Sequence, residues 1–343
     1  MSKILEKTVC TQLVEYLEGQ NIIPSNQSGF RKKHSTTTAL LDVVDDILTA
    51  QDSGKASILV LLDFSRAFDT INVTLLLSKL TYYGFDPKTV NWFASYLGER
   101  TQRVELSNSQ GVSMVSEKSM VTRGVPQGSI LGPILFLLYS ADLTYKINHC
   151  KYHLYADDLQ MYTSFKPEDT HSAVEKINQD LSQIALWSEK NSLVINPLKS
   201  KFIVIGTKLQ IMNTISQNPQ VHILNEIITR VSEARNLGVL IDERLQFEKY
   251  VLENIRNCFY RLTVLYKIRD HLNIDMRIKL CDSLILSKLN YADTVIGGCL
   301  LSRTKMQIQI LQNAYGRFCF AQNATPCFLI VWNYKQQKTL LSL

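Results

Sequence analysis

An α+β fold, with an antiparallel sheet backed by helices, is what this sequence predicts, on three observations. Ser57-Ile58-Leu59-Val60-Leu61-Leu62 is a continuous apolar run that ends abruptly in Asp63, and runs rich in Val, Ile and Leu read as strands buried on both faces. Tyr155-Ala156-Asp157-Asp158 lies between Lys151-Tyr152-His153-Leu154 and Leu159-Gln160-Met161-Tyr162 and reads as the tip of a β-hairpin. Around these strands stand segments with helical spacing, among them one carrying Ile177, Leu181, Ile184 and Trp187 on a single face.

Taken in order, residues 1–56 read as helical, with Leu13 and Leu17 on one helix and Leu40, Val43, Val44, Ile47 and Leu48 on another near 36–50. The strand at 57–63 follows, then helical patterning over 73–98, a ribbon near 102–122 and a helix at 133–142 with Pro133 as its first residue. The hairpin at 151–164, a helix at 170–190 and the strand Phe202-Ile203-Val204-Ile205 come next. A hairpin near 221–241 turns at Asn225-Glu226 and leads into Leu237-Gly238-Val239. Helical spacing then returns, at Val251, Ile255, Phe259, Leu262 and Leu265 and again at Ile278, Leu280, Leu284 and Leu289. No low-complexity linker or internal repeat interrupts the chain.

Asp63 at a strand end and Asp157-Asp158 at a hairpin tip are candidates to converge on a divalent cation. A pair of Asp residues in a turn is by itself no more than turn chemistry. Convergence changes the energetics: two carboxylates about 4 Å apart repel by roughly 4 kcal/mol at an effective dielectric of 20. That is a large fraction of the ~5–15 kcal/mol stability of a domain. A bound cation removes the penalty, and oxygen-only ligands suit Mg²⁺. Asp45-Asp46, by contrast, falls in a helical pattern and reads as a solvated helix face.

Six segments, in order, resemble the reverse transcriptases of non-LTR retrotransposons, especially jockey-like elements. They are Gln27-Ser28-Gly29-Phe30-Arg31 with His34-Ser35, Leu62-Asp63-Phe64-Ser65-Arg66-Ala67-Phe68-Asp69-Thr70, Gly124-Val125-Pro126-Gln127-Gly128-Ser129-Ile130-Leu131-Gly132-Pro133, Tyr155-Ala156-Asp157-Asp158, Leu193–Ser200 and Leu237–Asp242. The resemblance covers about residues 2–320 and implies a right-hand polymerase. On it, residues 1–56 are fingers, 57–243 a palm with inserted fingers elements, 244–320 a helical thumb and 321–343 an atypical tail.

The resemblance also implies roles. Asp63, Asp157 and Asp158 would hold two Mg²⁺ ions, Mn²⁺ being the alternative, with Asp158 the weakest ligand. Phe64, Arg66, Ala67, Phe68, Gln127, Gly128 and Arg31 would face the incoming nucleotide, Phe68 as the gate that excludes a 2′-hydroxyl. Lys199 would protonate the departing pyrophosphate, with Lys201 close enough to compete for the role. Arg31, Lys32, Lys33 and Arg66 are candidates for phosphate contacts. Tyr155, Ala156, Leu237 and Gly238 would meet nucleic acid. The implied partners are an RNA template, a DNA primer and dNTPs. Against these stand plainer readings: Phe68 as a core aromatic, and Gln127-Gly128 as a turn feeding the apolar helix.

Composition sets the class. Of 343 residues, 45% are hydrophobic and 20% charged, as in ordinary globular proteins. No apolar stretch approaches the ~20 residues that cross a bilayer, and no signal-peptide pattern opens the chain. Seven scattered cysteines lack any C-x-x-C spacing, which points to reduced thiols and an intracellular protein of the cytoplasm and nucleus. Residues 244–317 carry twelve Lys or Arg against six Asp or Glu, which accounts for the whole net charge of +6. A basic helical segment suits a nucleic-acid backbone.

The chain opens inside the motif Ser-Lys-Ile-Leu-Glu-Lys, so the fingers are expected to be incomplete at their N-terminus. No endonuclease, Cys-His knuckle or ribonuclease H segment is recognisable, so the chain reads as the polymerase part of a larger element. The alternative expectation is an inactive remnant that binds nucleic acid without chemistry. A splicing role like that of intron maturases would need an extra domain that nothing here resembles.

Overall fold

The computed structural model describes residues 2–107 and 113–320. The 321–343 tail and the tip of the ribbon lie outside the described residues. The described chain forms two compact units, one running up to Leu237 and including Asp242–Arg244, the other made of Gly238–Ile241 and the residues from Leu245 on.

The first unit is built round a five-stranded sheet. Helices α1 (Ser2–Gly19) and α2 (Thr36–Asp52) precede strand β1 (Ala56–Leu62). Then come α3 (Val73–Tyr82), α4 (Pro87–Leu97), α5 (Gly132–Ser140), β2 (Lys151–Tyr155), β3 (Asp158–Phe165), α6 (Thr170–Lys190), β4 (Lys201–Ile205), α7 (Lys208–Ser216) and β5 (Thr229–Arg230). The strand order is β5-β4-β1-β3-β2, with β1 central. Strand β1 is flanked antiparallel on both sides, by β4 (Val60 opposite Phe202) and by β3 (Leu62 opposite Leu159). Only the edge pair of β4 with β5 runs parallel.

The apolar run of β1 is buried along its length except at half-buried Leu61, as a central strand covered on both faces requires. The predicted α6 stripe of Ile177, Leu181, Ile184 and Trp187 is buried, as are Leu13 and Leu17 of α1. Pro133 stands in the first turn of α5, where its missing N–H costs nothing.

Two expectations give way. The predicted 73–98 helix is two helices, because Gly84 takes a left-handed φ of 84°. A new helix then begins at Pro87, where Asp86 Oδ1 accepts the Lys88 backbone N–H at 2.9 Å as an N-cap. Asp46 is not a solvated helix-face residue: it accepts Lys151 Nζ at 2.8 Å and Tyr162 Oη at 2.6 Å, tying α2 to the hairpin strands. The 102–122 ribbon is present, with Thr101 opposite Met120 and Glu105 opposite Val115.

The second unit contains α8 (Glu248–Tyr266), α9 (Ile274–Cys281) and α10 (Ser302–Phe320). Val251, Ile255, Leu262 and Leu265 of α8 are buried as their spacing predicts, with Phe259 only half-buried. A bidentate pair from Arg303 to Glu248, at 2.6 and 3.0 Å, links α10 to the start of α8. Further on, the stripe through Ile278, Leu280, Leu284 and Leu289 is only half-buried, and Cys281 and Ile285 are the buried positions. A π-helical segment at Asp282–Leu286 widens the helix there and changes its phase.

Candidate active site

Strand register brings the three aspartates to the same end of the sheet, where adjacent strands end together. Asp63 directly follows β1, whose last residue Leu62 stands opposite Leu159 of β3. Carrying that antiparallel register one residue further sets Asp63 beside Asp158. Asp157 is the second residue of the two-residue loop between Tyr155 and Asp158, which are paired across the hairpin. Ala156 takes the loop's left-handed position, with φ of 57°.

Their electrostatics record the crowding. Asp157 is pushed above the usual carboxylate range by loss of hydration and by the charge of Asp63. Asp158 is pushed up to about 6, by loss of hydration and then by the charges of Asp157 and Asp63. Asp158 still keeps an exposed edge, so solvent ions reach it. Asp63 Oδ2 is buried and accepts no hydrogen bond; the nearest cation is Lys199 Nζ at 3.9 Å, beyond hydrogen-bond reach.

A buried oxygen with no donor, beside two carboxyl groups crowded by neighbouring negative charge, is a donor set suited to a hard divalent cation. Among the described residues no group of three or more His, Cys, Asp or Glu side chains is gathered closely enough to hold an ion. Mg²⁺ requires no such cage, since it keeps several waters and takes substrate phosphates alongside one or two carboxylates.

The segment of Leu193–Ser200 is brought alongside. Phe64 and Ser65 ladder with Ile195 and Val194. The Asn196 N–H donates to the Asp63 carbonyl at 2.9 Å, and the Asp63 N–H donates to Ser200 Oγ at 3.3 Å. The Asn196-Pro197 turn therefore delivers Lys199 to Asp63. Lys201 begins β4 opposite Leu61, two residues short of Asp63.

After Ser65 the strand stops, and residues Ala67–Thr70 form one helical turn entered through Arg66 at φ of 50°. Phe68 stacks on Phe136 of α5 at 4.5 Å and meets Phe30 edge-on at 6.2 Å, half-buried between packing and solvent. The Gln127 loop hangs on this turn: the Gly124 and Val125 N–H groups donate to the carbonyls of Ile71 and Phe68, and Gln127 Nε2 donates to Asp69 Oδ1 at 2.8 Å. Gly124 combines a φ of 80° with an approach so close that a Cβ would lie 2.9 Å from Asp69 Cα and O, a position open to glycine alone. Gly128, with φ of 73°, and Gln127 are exposed.

Several predicted contacts are redirected. The Arg31 guanidinium forks onto Glu18 at 2.7 and 3.0 Å and donates to the carbonyls of Pro24 and Gln27. That hydrogen bonding also holds the Glu18 carboxyl below its usual range. Four of its five N–H donors are thus engaged by the protein, which gives Arg31 a bracing role. Phe64 and Ala67 are buried side chains of the core, and Ala156 is buried with its N–H and carbonyl both paired to Gln27. Arg66 is exposed and Tyr155 half-exposed beside the carboxylates. Leu237 and Gly238 form a turn with φ of 44° and 85°. Sequence reasoning missed Glu6, Gln27, Asp69 and Ser200. All four lay within the quoted motifs, but nothing local shows which distant group they serve.

A family model described as reverse transcriptase (RNA-dependent DNA polymerase) matches residues 1–241. The probable RNA-directed DNA polymerase from transposon X-element of Drosophila melanogaster is 29% identical over 343 residues, covering 95% of this chain and 36% of that protein. The RNA-directed DNA polymerase from mobile element jockey of the same species is 26% identical, covering 91% and 34%. The chain thus spans about a third of the length of these curated relatives. Among solved structures, apo telomerase from Candida tropicalis truncated from its C-terminal domain matches at a TM-score of 0.46 and 13% identity, over 71% of this chain and 44% of that one. Telomerase from Candida albicans in complex with a fragment of telomeric RNA matches at 0.36 and 12%, over 92% and 51%. With the motifs in order and the family match extending over residues 1–241, the chain belongs to the reverse transcriptase (RNA-dependent DNA polymerase) family, of the non-LTR transposon kind.

Proposed function

We propose that this domain copies an RNA template into DNA, adding dNTPs to the 3′-hydroxyl of a DNA primer. The observation that carries the reading is the register that sets Asp63, Asp157 and Asp158 at one end of paired strands, with Asp63 Oδ2 buried and without a donor. These three carboxylates would hold two Mg²⁺ or Mn²⁺ ions, which supply a lowered pKa at the primer hydroxyl and charge neutralisation on the triphosphate. Asp158, the most exposed of the three, is the weakest ligand.

Around that centre each side chain has a task. Lys199 gives its proton to the departing pyrophosphate. Gln127, held by Asp69, orients the nucleotide, with Gly128 opening the loop for backbone approach. The free edge of Phe68 lies under the sugar, and Arg66 meets phosphate. Tyr155 and the Leu237-Gly238 turn contact the primer strand. Residues 1–56 and 57–243 act as fingers and palm, and the basic helices of residues 244–320 as a thumb that grips the duplex backbone. Among the described residues no helix is long and apolar enough to cross a membrane, and a protein that copies RNA onto target DNA works in cytoplasm and nucleus.

The test is Mg²⁺-dependent dNTP incorporation on a primed RNA, beside Asp157→Asn. Incorporation by the parent alone is the expected result. Incorporation that survives Asp157→Asn sinks the mechanism. Salt-dependent RNA binding with no incorporation by either protein replaces it with a binding-only role.

A further inference from the structure

The loop that carries the aspartates is gripped from behind by a side chain to which no role has been given above. Gln27 is 2% exposed. Its Oε1 accepts the Ala156 N–H at 2.9 Å and its Nε2 donates to the Ala156 carbonyl at 3.1 Å, so one amide takes both polar backbone atoms of one loop residue. The second lone pair of Oε1 accepts the Gly29 N–H at 2.8 Å. On either side the main chain follows suit, with Leu154 N–H donating to the Asn26 carbonyl and Ser28 N–H to the Leu154 carbonyl, each at 2.8 Å. A Cβ on Gly29 would lie 2.2 Å from the Ala156 nitrogen, so only glycine permits this approach.

We propose that Gln27 is a positioning residue, whose side-chain amide fixes the Ala156 peptide groups and thereby aims Asp157 and Asp158 at the ions they share with Asp63. This rests on the polymerase reading for its purpose, though the geometry stands without it. Ala156 holds a left-handed φ of 57°, a conformation that is unfavourable for a residue with a Cβ. A two-residue loop can relieve that strain by twisting, and any twist swings the carboxylate of the next residue. Gln27 opposes the twist because both of its bonds break together if the Ala156 peptides rotate.

The grip is itself braced. Arg31 Nη1 donates to the Gln27 carbonyl at 3.1 Å and the Pro24 carbonyl at 3.0 Å, while its other nitrogens fork onto Glu18 of α1. A relay therefore runs from Glu18 through Arg31 and Gln27 to Ala156. Groups supporting metal ligands from behind are worth about 10–100-fold in metal affinity or activity when removed.

Gln27→Met keeps the length and packing of the side chain and removes all three amide hydrogen bonds. The measurements are hydrogen exchange across residues 152–160, half-saturation by Mn²⁺ followed through water-proton relaxation, and kcat and KM for dTTP on a primed poly(rA) template. The expected result is faster exchange confined to the hairpin, Mn²⁺ half-saturation raised about 10-fold or more, and a fall in kcat with little change in KM. Parental exchange and parental Mn²⁺ affinity in Gln27→Met overturn the proposal, whatever the polymerase assay gives. A parent that incorporates nothing, combined with altered exchange and Mn²⁺ affinity in the variant, leaves Gln27 in its role and removes the polymerase reading. Should Gln27→Met fail to fold, Gln27→Glu keeps both accepted bonds and loses only the donation to the Ala156 carbonyl. Faster exchange at 152–160 is expected there too, and its absence overturns the proposal.

Discussion

Glu6 Oε2 accepts the backbone N–H of Ile130 at 2.7 Å across 124 residues of sequence. The carboxylate sits in the first turns of α1 at 7% exposure, and its partner lies three residues beyond Gln127. The first helix therefore anchors the loop proposed to orient the nucleotide. Beside it Ser129 Oγ donates to the Pro126 carbonyl and accepts the Gly132 N–H, closing the loop onto α5.

Glu6→Ala strands the half-buried Ile130 N–H, at a cost no greater than the ~1–3 kcal/mol of a fully buried orphaned donor. The expected outcome is a lower unfolding midpoint together with a raised KM for dNTP at nearly unchanged RNA affinity. Steady-state kinetics beside urea titration check both, and an unchanged KM would show that the anchor serves stability alone.

Phe68 has two duties to separate. Phe68→Ala loses the stack on Phe136 and, being only half-buried, is expected to cost less than the roughly 3–5 kcal/mol of a full core truncation. If its free edge excludes a 2′-hydroxyl, the variant accepts ribonucleotides that the parent rejects. Competition between rCTP and dCTP reads this out; parental sugar discrimination would return Phe68 to packing only.

Lys199 and Lys201 are told apart by distance from the carboxylates. Lys199 is mostly exposed and lies 3.9 Å from Asp63, so its removal should change stability by no more than about 0.5 kcal/mol. Lys199→Ala is expected to lower kcat about 100-fold or more, as removal of a general acid does, with little change in the KM for dNTP. Lys201→Ala should leave both near parental values. The reverse pattern would transfer the proton-donor role to Lys201.

His153 makes the hairpin acid-sensitive. Burial lowers its pKa from the ordinary 6.5, against the opposing charge of Asp42, with His34 adding a second lowering influence. Ser28 Oγ meets its Nε2 at 2.8 Å, and Asp42 Oδ2 lies 3.7 Å from Nδ1. A histidine held neutral in the fold contributes stability that is present above pH 6.5 and lost as pH falls below it. The thermal midpoint should therefore drop on acidification, and His153→Gln should weaken that dependence. Equal slopes in parent and variant would remove His153 from the effect.

What could be read in advance was whatever depends on neighbours in sequence. Alternation and apolar runs report burial because strands and helices repeat at short, known periods, so β1, the hairpin and the stripe of α6 were legible. The order of the motifs identified the reverse transcriptase family, and register alone then brings Asp63 to Asp158. The break of the 73–98 helix is also written locally, in Asp86-Pro87 after Gly84, although the apolar period runs across it.

Polar side chains behaved differently, because a hydrogen-bond donor carries no mark of its acceptor. The Arg31 fork suits phosphate, and α1 supplies Glu18, 13 residues before it, to occupy that fork. Asp46 looked solvated until the hairpin supplied Lys151 and Tyr162, and Gln27 had no visible task until Ala156 arrived from 129 residues away. The sequence by itself determined the family, the sheet and the identity of the carboxylates, since those follow from local periodicity and motif order. Only the tertiary structure decided which polar groups face the site and which brace it, because each pairing exists only once distant segments have been folded within about 3 Å of each other.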